Sequence, residues 1–389
     1  MINCRYLKLL DYIRQKLYEI RPNAMERNIQ VFLQIMFACT AVGLLPSLLR
    51  ATESKQVTKC SAVLDDMKLN SIQCPTCKKE PNVQLAVAKD YEYQSSDRSF
   101  EYSACEGCGS VMLTSPISRG ELGNAYPENY YSYHLLKNYD AYKNSVEGKR
   151  YFAEWRDAVA KDLTEEFLEK IGTTKAKARI LDVGGGDGLF LEILTQVGFQ
   201  EKNLFLFDEL APVKHSTQTF DPRTASPGQF DIIFANHVVE HMEAPEALFE
   251  LAEKHLKKGG VLVLEAPSPT GIHFQLTKSG VWGGYHAPRH LYLLTPDSLQ
   301  KLGEQNGLNL IESKYADDSW IWLQTLNNIS KKYPATQTVL GKLSPAFATG
   351  IKEEPSRLRR QVLAAFNRVN RVLKKIKSPT SAVKMVFKK

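Results

Sequence analysis

From residue 179 onward the chain repeats one pattern: a short apolar run, then a longer stretch with helical spacing. The apolar runs are Arg179–Val183, Asn203–Asp208, Asp231–Ala235 and Gly260–Glu265. Runs of this length, apolar on both faces, predict buried strands of a parallel sheet flanked by helices. Lys257-Lys258-Gly259-Gly260 reads as a helix C-terminus with a glycine stop before the last run. Leu308–Lys314 and Trp320–Leu326 are expected to form an antiparallel edge pair. Ahead of the strands, Phe152, Trp155, Val159, Leu163, Phe167 and Ile171 share one helical face over 147–171. Far downstream, Leu358, Val362, Phe366, Val369, Leu373 and Ile376 do the same over 355–377. The expected class is α/β, with a Rossmann-like doubly wound sheet.

The sharpest local signal is Ile180-Leu181-Asp182-Val183-Gly184-Gly185-Gly186-Asp187-Gly188. It is a strand running into a glycine turn with a helix opening behind it. Glycines at 184, 186 and 188 permit a tight turn and a close ligand approach. The dinucleotide pattern G-x-G-x-x-G fails, because position 189 is Leu. No Gly-Lys-Ser/Thr follows, so a phosphate loop fails too. Asp208 closes the next strand, where a carboxylate can accept hydrogen bonds from two ribose hydroxyls. A glycine turn in an unrelated α/β protein is the competing explanation.

These residues, with FDIIFANHVVEHM at 230–242 and LKKGGVLVLEAPS at 256–268, resemble the class I S-adenosylmethionine-dependent methyltransferases. The resemblance covers roughly 180–330. It implies a seven-stranded methyltransferase sheet, and Asp182, Gly184, Gly186, Gly188, Asp208 and Asn236 as cofactor contacts. One departure stands out. Only 22 residues separate Asp208 from Asp231, and they include Pro212, Pro222 and Pro227. The helix and third strand usual there must be shortened or rebuilt, and Phe220-Asp221 is a weak candidate for touching adenine.

Methyl transfer from a sulfonium needs an aligned acceptor and, for an oxygen acceptor, a base. Candidate bases follow the fourth and fifth strands. His290 ranks first and His286 second, in His286-Ala-Pro-Arg-His290, where the family places substrate-binding insertions. Trp282 and Tyr285 would give that segment apolar walls. His241 is third; its Glu-His pair resembles quinone and small-molecule methyltransferases, but a helix cap is the plainer explanation. Arg289 suits either an acidic substrate group or a surface ion pair.

Cysteine usage adds a second module. All seven cysteines precede residue 109, and four form Cys74-x-x-Cys77 and Cys105-x-x-Cys108, separated by 27 residues. Two such knuckles predict a closed Cys4 zinc ribbon, structural rather than catalytic, since no ligand position stays open. A thiol redox pair is the alternative. The tyrosine-rich stretch that follows, with Tyr126, Tyr130, Tyr131, Tyr133, Tyr139 and Tyr142, reads as a cleft lid or as linker packing. Ribbon, tyrosines and catalytic body in this order resemble bacterial methyltransferases associated with surface polysaccharides.

Charge and hydropathy then set the domain expectations. Residues 1–66 form an extension whose uncharged stretch 28–49 is long enough to cross a bilayer. It is a membrane anchor, a buried hairpin or an upstream extension ahead of Met67. Residues 67–145 hold ribbon and tyrosine linker, 146–330 the methyltransferase domain, and 331–389 a basic tail. The net charge is +7, but residues 355–389 carry eleven Lys/Arg and no acid. The remainder holds 39 basic against 43 acidic residues, so the body has no long phosphate track. The expected acceptor is a small molecule, by O-methylation of a sugar, glycolipid precursor or quinone-like compound. An RNA methyltransferase using ribbon and tail is the first alternative, and a non-catalytic scaffold the second. No Asn/Asp-Pro-Pro-Tyr/Phe motif follows the fourth strand, which speaks against base-amine methylation of RNA. The expected location is cytoplasmic, with membrane association through 28–49 or the basic tail as an option.

Overall fold

The structure, a computed structural model, describes residues 73–135, 139–140, 143–144, 146–209, 218–316, 319–333, 336, 357–375 and 378–389. The apolar segment 28–49 and the rest of the 1–66 extension lie outside them. Among the described residues, no helix is long and apolar enough to cross a membrane.

In chain order the elements are β1 Val83–Lys89, β2 Ser99–Ala104, β3 Val111–Leu113, α1 Val146–Asp162, α2 Glu165–Lys170, β4 Ile180–Val183, α3 Leu189–Gln196, β5 Leu204–Phe207, β6 Gln218–Thr219, β7 Phe230–Asn236, α4 Glu246–His255, β8 Leu256–Pro267, β9 Tyr292–Leu293, α5 Pro296–Gln305, β10 Asn309–Ala316, α6 Ser319–Lys332, α7 Arg357–Lys375 and β11 Ala382–Lys388. The larger sheet has seven strands in the order β10-β11-β8-β7-β4-β5-β6. Strands β8 to β6 run parallel, and β11 is antiparallel to both β8 and β10. After β4 the chain steps outward to β5 and β6, then returns to β7 on the other side. The carboxyl ends of β4 and β7 therefore flank the point where strand order reverses, which is where open α/β sheets bind ligands.

Periodicity explains the sheet well. Strand β4 is buried along its whole length, and β7 nearly so. Each fully buried Leu, Ile or Phe contributes about 1.5–3 kcal/mol relative to exposure. The short interval after Asp208 does hold a third strand, β6, but only two residues of it. Phe220 behind it is buried against Phe230 and His255, and Asp221 pairs with Arg223, so neither residue is presented as an adenine contact.

Four expectations change. Trp320–Leu326 is not a strand but part of α6, and the antiparallel partner of β10 is β11. β11 lies within the stretch read as tail, so the end of the chain enters the sheet between β8 and β10. Lys257–Gly260 are not a helix stop but belong to β8; α4 ends at His255 and extended backbone begins at once. The helix over 147–171 is two helices, because the Thr164 hydroxyl accepts the Phe167 amide and starts α2 afresh. The basic helix α7 packs on its own protein: Phe366 is fully buried and stacks on Trp322 of α6 at 5.0 Å.

The smaller sheet has the order β1-β2-β3-β9. Its first three strands come from the cysteine module and its fourth from the segment after β8. The two modules thus share a sheet.

Candidate functional site

Three features meet at the reversal point: the glycine turn after β4, the tyrosine turn, and a set of histidines after β7 and β8. In the glycine turn, Gly184, Gly186 and Gly188 have φ of 67°, 58° and 90°, which only glycine adopts freely. The Gly184 amide donates to Phe207 O at 2.7 Å, and the Gly186 amide to Asp208 Oδ2 at 2.8 Å. Asp182 is 2% exposed, and its Oδ2 has no hydrogen-bond partner among the described residues. Burial, and then the charge of Asp208, pushes its carboxyl up to about 8. Asn236 ends β7, paired across the ladder with Glu265.

One glycine serves a different purpose from the expected one. A Cβ on Gly186 would lie 2.6 Å from Ser132 O, and the Asp187 amide donates to that same carbonyl at 3.2 Å. The bare face of Gly186 is met by protein backbone. Gly184 is bare because Val238, just after β7, sits against it, 2.6 Å from an added Cβ.

Ser132 belongs to a 3-10 turn, Tyr131–His134, in the tyrosine stretch. Tyr130 is buried at the centre of an aromatic group with Tyr93, Tyr126, Tyr131 and Tyr133, at ring separations of 4.9–5.4 Å. Tyr139 packs on Phe152 and accepts from Gln196 Nε2, so it belongs to the core. Tyr142 lies outside the described residues.

The three candidate histidines come together. The rings of His241 and His290 are 4.6 Å apart, and those of His286 and His290 5.0 Å. His286 Nδ1 lies 2.7 Å from Glu92 Oε1 and its Nε2 3.3 Å from the Tyr130 hydroxyl. His290 Nδ1 donates to Gly284 O at 2.7 Å, which leaves Nε2 facing Glu240 Oε1 at 3.9 Å. His241 Nδ1 is 2.9 Å from the Tyr126 hydroxyl. Burial first holds His241, His286 and His290 well below the ordinary histidine value; neighbouring histidines add to this at all three, and Arg289 at His241 and His286. His237 and His286 have φ of 54° and 38°, a costly backbone for a side-chain-bearing residue. Both strained residues flank this cluster.

Arg289 corrects both readings offered for it. Its side chain is fully buried and its guanidinium pairs with Asp90 at 2.8 and 3.2 Å. It also donates to Ala125 O at 2.6 Å and lies over the Tyr93 ring. It is a structural bolt between the cysteine module and the segment after β8. Trp282 and Tyr285 are buried against Phe274 as internal packing.

In the cysteine module, the sulfurs of Cys74, Cys77, Cys105 and Cys108 all lie within 4.8 Å of one another. A Cβ on Gly107 would come within 3.0 Å of Cys77 Sγ, so the second knuckle folds tightly onto the first. Four convergent thiols are a donor set for a tetrahedral soft-ligand metal.

Sequence reasoning missed Glu92, which reaches His286, and Asp90, which reaches Arg289, from 194 and 199 residues away in the chain. No local pattern could have found them. The residue pair at 240–241 was visible, but the carboxylate of Glu240, facing His237 and His290, was not.

Residues 152–313 match the family described as a methyltransferase domain. A ubiquinone biosynthesis O-methyltransferase of Xanthomonas euvesicatoria pv. vesicatoria is 34% identical over 118 residues, 27% of this chain and 49% of that protein. A protein of the same name from Ruegeria sp. is 24% identical over 204 residues, 47% of this chain and 83% of that protein. A solved S-adenosylmethionine-dependent methyltransferase from Archaeoglobus fulgidus is 18% identical and covers 60% of this chain and 94% of that one, with a TM-score of 0.35. The chain spans about half the length of the Xanthomonas relatives it matches. Over the stretch 152–313 the chain is thus similar in sequence to methyltransferase domains.

Proposed function

We propose that this protein transfers a methyl group from S-adenosylmethionine to an oxygen of a small-molecule acceptor, with a structural zinc in the cysteine module. The observation that carries the reading is Asp182: a buried carboxylate oxygen with no partner among the described residues, aimed at the glycine turn where the strand order reverses. Such an orphan is costly unless a ligand supplies a donor, and a cationic amino-acid end of the cofactor would do so. Asp182 and the turn at Gly184, Gly186 and Gly188 would hold that end, with Asp208 on the ribose. Asn236 borders the same space at the end of β7. Zinc would sit among Cys74, Cys77, Cys105 and Cys108 and fix the two knuckles, with no position left for chemistry.

When bound, the cofactor supplies a methyl group already activated on sulfur. What remains for the chain is alignment and proton removal. His286 is the group assigned to take the acceptor proton, because Glu92 holds its Nδ1 and burial keeps it neutral. His241 and His290 face the same space. The tyrosine turn joins the two halves: Ser132 touches the glycine turn, while Tyr130 touches His286. It would exclude water from the reacting atoms. The names of the bacterial relatives favour a quinol-like oxygen among the acceptors considered, over a sugar or glycolipid precursor.

The test incubates the full chain with labelled S-adenosylmethionine and a panel of dihydroxyphenols, quinols and sugar nucleotides. The expected result is a product heavier by one methyl group from one acceptor class, lost in Asp208→Ala. Absence of cofactor binding would overturn the reading.

A further inference from the structure

Glu240 is 1% exposed, its Oε1 is held by His237 Nδ1 at 3.1 Å, and its Oε2 has no hydrogen-bond partner among the described residues. An ionisable carboxylate in that state calls for a cation beside it. Two imidazoles are already there. One carboxylate oxygen of Glu240 and one ring nitrogen each of His241 and His290 lie within 4.8 Å of one another.

We propose that Glu240, His241 and His290 form a second metal site, separate from the four cysteines, that binds one divalent transition-metal ion. Three arguments converge. The donor set, two neutral imidazoles and a carboxylate, suits zinc, manganese or iron(II), and is too rich in nitrogen for magnesium or calcium. The supporting contacts are those a ligating histidine needs: Nδ1 of His290 donates to Gly284 O, which orients Nε2 toward Glu240, and Tyr126 steadies the His241 ring. The backbone supports it too, since the Leu291 amide donates to Glu240 O at 2.8 Å and ties the segment after β7 to the one carrying His290.

Three protein ligands leave positions open. The His286 ring lies beside this group, 5.0 Å from His290 and 6.1 Å from His241, with the Tyr130 ring 6.0 Å beyond it. A bound ion would therefore take the acceptor oxygen as a further ligand, lower its proton affinity and leave His286 to accept the proton. This role rests on the methyl-transfer reading; the metal site itself does not.

The full chain is stripped of metal and titrated with cobalt(II) under reducing conditions. Two equivalents are expected: one with intense thiolate charge-transfer absorption from the cysteines, and one with weak ligand-field bands alone. Glu240→Gln and His290→Asn should each weaken the second equivalent tenfold or more while the thiolate band is kept. That band also reports whether a variant has folded. If a variant loses it, the wild-type stoichiometry decides alone. A single equivalent in the wild type with cobalt, zinc and manganese, or a second equivalent untouched in both folded variants, would overturn the site. If the second ion binds yet methyl transfer is the same with it removed, the site stands and its role toward the acceptor falls.

Discussion

Breaking the Arg289–Asp90 pair should unseat the histidine cluster. Both side chains are fully buried, and two nitrogens of Arg289 reach the two carboxylate oxygens at 3.2 and 2.8 Å. Removing one partner of such a pair leaves the other charged and desolvated, a loss of about 3–5 kcal/mol. Burial alone would raise Asp90, yet hydrogen bonding and charge from Arg289 bring it down from 3.8 to about 2. That difference corresponds to about 2 kcal/mol of stability from the carboxylate alone. The sign is that of a depressed acid: the stabilisation is complete above the unfolded value and disappears as pH falls through about 2. Arg289→Met, Asp90→Asn and the double variant should be compared by urea unfolding at neutral pH with zinc present, following intrinsic tryptophan fluorescence. Each single variant should lose about 3 kcal/mol or more. The double should lose at least ~1 kcal/mol less than the sum, because it leaves no lone charge. Additive losses, or single losses below about 1 kcal/mol, would refute the reasoning.

Other consequences follow from particular residues. The cofactor-free protein should lose stability as pH rises through about 8, because Asp182 is protonated when folded and ionised when unfolded across the interval above 3.8; Asp182→Asn should flatten that slope in denaturation midpoints, and an unchanged slope would remove the assignment. Phe366→Ala should cost about 3–5 kcal/mol if α7 is anchored by its stacking on Trp322; a loss under about 1 kcal/mol, by chemical denaturation, would detach α7 from the core. Gly271→Ala places a Cβ 2.3 Å from Thr380 O at the approach to β11, so it should destabilise by about 1–3 kcal/mol as overpacking, with a neutral result in thermal unfolding counting against that packing. Cys74→Ser combined with Cys108→Ser should abolish zinc binding and weaken methyl transfer, since β3 of the cysteine module pairs with β9 beside His290; full activity without zinc would separate module from site.

The parallel half of the sheet was legible because β4, β5, β7 and most of β8 are apolar runs with a period of their own. The antiparallel half was not. β11 and α6 both read as apolar segments of similar length, and what decides between them is which one reaches the edge of β8, a contact across 120 residues. The glycine turn and Asp208 were legible as a unit, but the reason for Gly186 was not, since Ser132 arrives from a separate segment. The candidate histidines were found one by one; their convergence, and the arrival of Glu92 and Asp90 from the cysteine module, is tertiary information. Arg289 shows the cost of reading charge locally: a cation in a polar-looking stretch turned out to be the most buried charge described around the site.

Gly186→Val is a poor probe of ligand binding, because it also collides with Ser132. Asp208→Ala keeps the turn glycines, so calorimetric titration of S-adenosylmethionine into the full chain and into Asp208→Ala bears most directly on the account. One cofactor per chain is expected in the wild type, with affinity reduced at least tenfold in the variant. No binding to the wild type, or equal affinity in both, would contradict it.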